Sequence, residues 1–202
     1  MAAGPRASGR PVRRADRGRA LGALRPSGGG SAQLSDEGRL SPELIRLLDE
    51  ADRYAEQFER SSLGPAPLAG LAILTCMDAR IAVEEIFGLR AGDANVMRNA
   101  GAVASDDFIR SLVLSQRLLG TAEVVVVGHT GCGLHGLDEG WLAEELARET
   151  GARSETRFGS FRDPGEHVQQ QVRRIREHPW IRRVPVHGFV YEVETGRLRD
   201  AG

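Results

Sequence analysis

No lysine occurs anywhere in the 202-residue sequence; all 27 of its basic residues are arginine. That removes the amine a Schiff-base enzyme needs and the phosphate-loop lysine of nucleotide-binding motifs. An all-arginine chain fits the codon bias of a GC-rich genome. Cysteine is almost as scarce, with only Cys76 and Cys132. A small secreted scaffold stapled by disulfides would use more. Aromatics make up 5% of residues, and no run reaches the roughly 18 apolar residues of a membrane span. The N-terminal region carries charge but no apolar stretch of a secretory signal, and Arg13-Arg14 is followed by ADRGRA, without the apolar segment of a twin-arginine signal. The expectation is a cytoplasmic, reducing location with no membrane partner.

Charge is balanced overall, at −1, but unevenly spread. Residues 1–30 hold Arg6, Arg10, Arg13, Arg14, Arg17, Arg19 and Arg25 against one acid, Asp16, so the remainder is acidic by about seven charges. An acidic body argues against a nucleic-acid enzyme. Residues 1–38 are rich in Gly, Ala, Arg, Ser and Pro, including PSGGGSA. Such a composition buries too little to offset its ordering entropy and predicts a disordered extension ahead of a folded domain at 39–202.

The folded pattern opens with SPELIRLLDEADRYAEQF. Ser41 is placed as N-cap and Pro42 as first helical residue, and Leu44, Leu47, Leu48, Ala51, Tyr54, Ala55 and Phe58 recur at helical spacing. After LGPAP, strands and helices alternate: LAILTC, then a short helix in IAVEEIFGL, then ANVMRN. The helix SDDFIRSLVLSQRLLG follows, then the nearly all-apolar strand AEVVVVGH. Helices are expected at 137–150 and 163–177, and a last strand, VHGFVYEVE, precedes a closing turn at Thr195-Gly196. Alternation of this kind implies an α/β fold with a mostly parallel sheet.

In open parallel sheets ligands gather at the carboxyl ends of strands. The strand LAILTC runs into TCMDAR and the strand AEVVVVGH into GHTGCG. If the two are neighbours, Cys76, Asp78, Arg80, His129 and Cys132 meet at one sheet edge. Two thiols and an imidazole suit zinc, and three protein ligands are the pattern of a catalytic site. His129-x-x-Cys132 forms a local chelate that Cys76 closes; Cys132-x-x-His135 is the competing pair. The same residues also read as inert buried thiols beside a minor ion pair, or as a redox pair, although no C-x-x-C is present. Were TCMDAR extended, Cys76, Asp78 and Arg80 would share one face. His167 is read as part of a solvated amphipathic helix, with His178 past its end and His187 beside a strand, all in structural roles.

CMDAR and GHTGCG, with GDANVMRNAGA between them, resemble the two motifs and intervening segment of the β-class carbonic anhydrases, over about residues 42–195. The resemblance implies a sheet of four parallel strands with a fifth edge strand, and zinc held by Cys76, His129 and Cys132. It implies a closed state in which Asp78 becomes a metal ligand and an active one in which Arg80 holds Asp78 away as a catalytic pair. It also implies a homodimer or dimer of dimers, with the helix at 42–58 embracing the partner, and CO2 and bicarbonate as the small molecules exchanged. Many members carry a glutamine shortly before the first motif; here the stretch is GPAPLAG, so Asn99 and Gly101 are the expected substrate-binding donors instead. Hydrolysis of carbonyl sulfide or carbon disulfide on the same zinc scaffold is the alternative activity, and a non-catalytic zinc-bound regulator the alternative role.

Overall fold

The computed structural model describes residues 40–58, 63–153 and 155–202; the segment 1–38, expected to be disordered, lies outside them. The chain divides into two units, Met1–Glu59 and Arg60–Gly202. In the first unit α1 spans Pro42–Glu56. The Ser41 hydroxyl accepts the Leu44 N–H at 3.1 Å, capping one of the N–H groups that a helix start leaves open. Leu44, Leu47, Leu48 and Tyr54 are exposed.

The second unit holds every strand among the described residues. Its elements are β1 (Leu71–Cys76), α2 (Val83–Phe87), β2 (Ala94–Asn99), a 3-10 turn (Ala100–Ala102), α3 (Asp106–Leu118), β3 (Glu123–His129), α4 (Glu139–Thr150), α5 (Pro164–Glu177), β4 (Val186–Glu192) and β5 (Arg197–Asp200). The sheet order is β2-β1-β3-β4-β5. Its first four strands are parallel and β5 runs antiparallel to β4. The residue pattern alone stopped at the Thr195-Gly196 turn; the chain instead reverses there, with Gly196 at φ 73°, and adds a short edge strand. RLRD is too short and too charged to announce a strand, and charge is what keeps an exposed edge from pairing further.

Burial follows the two faces of the sheet. On one face Phe108, Ile109 and Leu112 of α3 and Val168, Val172 and Ile175 of α5 cover Ala72, Leu74, Val124, Val126, Val186 and Val190. On the other, Ile73, Val125 and Val127 pack with Ile81 and Val83. Coverage on both sides explains why β3 reads as a continuous apolar run. Helix starts are capped as the sequence foretold for α3, where Ser105 accepts the Phe108 N–H. Asp163 does the same for α5 through the Glu166 N–H. The segment leading to α5 is fastened to α4 by Glu139, whose carboxylate accepts N–H bonds from Phe158 at 3.0 Å and Ser160 at 2.6 Å.

Two glycines let α5 lie close on the sheet. A Cβ at Gly128 of β3 would stand 2.6 Å from Val168 Cγ2. At Gly188 of β4 it would stand 2.6 Å from Val168 Cγ1, 3.0 Å from the Gly202 carbonyl and 3.1 Å from Val172 Cγ2. Gly188→Ala therefore overpacks a buried contact from two sides. The expected outcome is a loss of about 1–3 kcal/mol of unfolding free energy in denaturant titration, with an unchanged denaturant slope.

Candidate metal centre

Strand β1 lies between β2 and β3, with Leu71 in register with Ala94 on one side and Glu123 on the other. Its last residue is Cys76, and β3 ends on His129. A turn over Gly131, at φ 65°, brings Cys132 back to the same edge. The metal-ligating atoms of Cys76, His129 and Cys132 all lie within 4.8 Å of one another, and all three side chains are buried.

Proton placement at His129 follows from its neighbours. Nδ1 lies 3.0 Å from the Thr130 carbonyl, which can only accept, so Nδ1 carries the proton. Nε2 therefore presents a lone pair, and among the described residues it is the buried side-chain polar atom without any partner. Leaving such an acceptor unsatisfied costs about 1–3 kcal/mol. Two thiols and a lone pair converging on one point form a donor set that fits zinc. The competing ligand, His135, is exposed and stacks on Phe161 with ring centres 6.0 Å apart; it is outside the cluster.

The two thiols influence each other's protonation. Their mutual hydrogen bond lowers Cys76, against the opposing effect of burial and with the Asp78 and Gly101 backbone adding to the lowering. The same bond, with burial, pushes Cys132 up. The Gly101 N–H points at the Cys76 Sγ from 3.3 Å.

Asp78 and Arg80 meet, but by a turn rather than by extended alternation. The Arg80 N–H bonds back to Asp78 Oδ1 at 3.0 Å, and the chain turns at Asp78. A carboxylate two residues ahead offers the backbone this local bond, and it wins over continuing the strand. Within the turn, Arg80 Nε donates to Oδ1 at 2.9 Å and Nη2 to Oδ2 at 2.7 Å. This bidentate pair holds Asp78 well below the usual carboxylate range. Arg80 Nη2 also donates to the Gly131 carbonyl at 2.9 Å, tying the first loop to the second. Asp78 Oδ2 stands 3.9 Å from His129 Nε2.

Asn99 and Gly101, whose backbone donors were expected to face substrate, lie at the 3-10 turn beside the cluster. The Asn99 side-chain amide donates to the Val103 carbonyl and accepts the Val103 N–H, both at 2.7 Å, closing the 3-10 turn. The Gly101 N–H is directed at Cys76, and its carbonyl faces His167. Three further residues hold the site and escaped the sequence reading. Arg98 donates from Nε to the Cys76 carbonyl at 3.1 Å and from Nη2 to the Asp78 carbonyl at 2.8 Å, bracing the loop from the neighbouring strand. Its signal was the register that sets Thr75 beside Arg98. His167 is buried against the 3-10 turn rather than solvated, together with Gln171. His187 is an exposed strand residue paired with Glu123 at 3.0 Å.

Comparison with known proteins agrees with this geometry. The family described as carbonic anhydrase matches residues 71–138, from the start of β1 to the N-cap of α4. The chain is 40% identical over 151 residues to β-carbonic anhydrase 1 of Mycobacterium tuberculosis, covering 73% of this chain and 90% of that protein. It is 37% identical over 182 residues to the carbon disulfide hydrolase of Saccharolobus solfataricus, covering 77% and 89%. Among solved structures, the carbonic anhydrase of Streptococcus mutans superposes with a TM-score of 0.77 at 33% identity, over 81% of this chain and all of that one. On this identity and coverage, the chain belongs to the β-class carbonic anhydrase family.

Proposed function

We propose that this protein is a zinc enzyme that reversibly hydrates carbon dioxide to bicarbonate and a proton. The observation that carries the reading is the buried, unpartnered Nε2 of His129 between two thiols, with a carboxylate held ionised 3.9 Å away. Cys76 Sγ, His129 Nε2 and Cys132 Sγ would hold the metal, which supplies the Lewis acidity that brings the deprotonation of water near neutral pH. The residues of the chain do the rest. The Thr130 carbonyl fixes the His129 tautomer and ring orientation. Asp78, ionised and able only to accept, takes a hydrogen bond from the attacking water and so directs its lone pair at the carbon of CO2. Arg80 keeps Asp78 ionised and turned away from direct ligation, and through Gly131 anchors that pair to the loop carrying Cys132. The pairing of Asp78 with Arg80 speaks against a non-catalytic protein whose metal is permanently closed off.

A second reading, hydrolysis of carbon disulfide or carbonyl sulfide, is favoured by the 37% identity to a carbon disulfide hydrolase. These substrates are linear like CO2 and would meet the same nucleophile. Stopped-flow hydration of CO2 by zinc-loaded protein between pH 7 and about 8.5 decides between them. A rate no greater than buffer, with sulfide released from carbon disulfide, would replace the first reading with the second. Cys132→Ser is expected to abolish zinc retention in elemental analysis. Asp78→Asn keeps the metal and lowers kcat/KM roughly a hundredfold or more; full activity in that variant removes Asp78 from the mechanism.

The Asp78–Arg80 pair also sets a pH dependence. A depressed carboxyl stays ionised from neutral pH down past the ordinary aspartate value of about 4. Arg80→Gln removes the cause of the depression, so the Asp78 pKa rises. The Asp78 carboxyl should then protonate near the ordinary aspartate value of about 4 rather than below it, which an NMR titration of the aspartate carboxyl carbons from pH 7 down to about 2 would register; an unmoved Asp78 contradicts the assignment.

The exposed apolar stripe of α1, with Leu44, Leu47, Leu48 and Tyr54, supports assembly with a second copy of the chain. Leu44→Glu with Leu48→Glu is expected to lower the mass seen by light scattering from dimer or larger to monomer. Two unpaired thiols in the metal site favour a reducing, cytoplasmic setting.

A further inference from the structure

A buried chain of hydrogen bonds runs from α5 to the sulfur of Cys76. The Ala104 N–H donates to Gln171 Oε1 at 3.0 Å. That fixes the orientation of the Gln171 amide, whose Nε2 then faces His167 Nδ1 at 3.5 Å. His167 Nε2 lies 2.8 Å from the Gly101 carbonyl. A carbonyl can only accept, so Nε2 carries the proton and Nδ1 takes the Gln171 bond: the ring is the neutral Nε2–H tautomer, fixed from both sides. Burial pushes His167 below its ordinary range, which agrees with a neutral ring. Phe161 stacks on it with centres 4.3 Å apart. The last link is the Gly101 N–H to Cys76 Sγ.

The segment this chain holds is conformationally costly. Gly101 sits at φ 78° and Ala102 at φ 55°, the left-handed region that a residue with a Cβ rarely adopts. A side chain at Gly101 is also excluded, because its Cβ would meet Leu134 Cδ1 at 2.7 Å. Such a turn persists only where its surroundings over-determine it. Asn99 closes it from within, and His167 with Gln171 pins it from α5.

We propose that His167, seated by Gln171, is a positioning residue for the Cys76 thiolate: it holds Gly101 so that the N–H of that residue bonds Sγ. The inference rests on Cys76 being a metal ligand, as read above. A hydrogen bond to a ligating sulfur withdraws electron density from it and fixes its direction, so the bond tempers how strongly Cys76 donates to the metal. His167 touches neither substrate nor metal in this role.

The test uses cobalt(II)-substituted protein and the near-ultraviolet thiolate-to-cobalt band. His167→Phe keeps a ring against Phe161 but has no N–H for Gly101. The band is expected to move to lower energy as the sulfur regains electron density, and zinc affinity, measured against a chromophoric chelator, to fall about tenfold or more because the sulfur loses its fixed direction. His167→Gln, which keeps an N–H donor, is expected to recover part of both. A folded His167→Phe protein with an unchanged band and affinity overturns the proposal. Gln171→Leu is the second variant: it leaves His167 in place but unseats Nδ1, and a smaller shift in the same direction is expected. No shift in Gln171→Leu overturns the role of Gln171 and of the seated ring. The band is read without substrate, so its outcome is separate from that of the hydration assay. A wild-type protein that takes up no cobalt removes the metal site and the inference together.

Discussion

The lone pair on His129 Nε2 is the constraint around which the rest of the structure is arranged. A buried acceptor without a donor is unfavourable, and two buried thiols crowd beside it. Folding accepts both because β1 and β3 end at the same level of a parallel sheet, and the apolar residues below them bury the strands to their last turn. The stability of the sheet is thereby spent on holding three donors at one point. A divalent ion relieves all three at once, which is why the site is legible from its unsatisfied groups.

Around that point, the charged groups divide the work. The guanidinium of Arg80 reaches both loops, binding the Asp78 carboxylate and the Gly131 carbonyl. Arg98 reaches across from β2 to the two carbonyls that flank Met77. Arginine suits both positions, since its planar fork can make several directed bonds while remaining protonated. The lack of lysine thus costs the site nothing: each cation here is a geometric brace, and no step calls for a base that must lose a proton.

The strands and most helix starts were legible because their signals are local. An unbroken apolar run marks a strand covered on both faces, and Ser41, Ser105 and Asp163 sit where caps belong. The pairing of TCMDAR with GHTGCG was legible because parallel neighbours must bring their ends together. What the sequence hid depends on three-dimensional context. Spacing leaves His135 as good a partner for Cys132 as His129; the strand-end position favours His129, and the free Nε2 and the exposed, stacked ring of His135 separate them. The local Asx bond of Asp78 overrode the extended path expected through Arg80. Asn99 and Gly101 were recognised as belonging to the site, but their hydrogen bonds are used to shape the 3-10 turn and the thiolate. His167 was missed because α5 is strongly polar overall, and a histidine among glutamines and arginines reads as solvent-facing. Its position next to Val168 and four before Gln171, on the face completed by Val172 and Ile175, was the available clue. The final strand was hidden by its brevity and charge.

The glycines at 128 and 188 acquire a different meaning once α5 is seen to carry His167. Val168, the next residue along the helix, rests in the space those glycines leave open. The thickness of that contact is therefore a length standard: it sets how far the imidazole reaches toward the 3-10 turn. A side chain at either sheet position would shift the imidazole against the 3-10 turn through packing alone, with every residue of the Cys-His-Cys cluster unchanged.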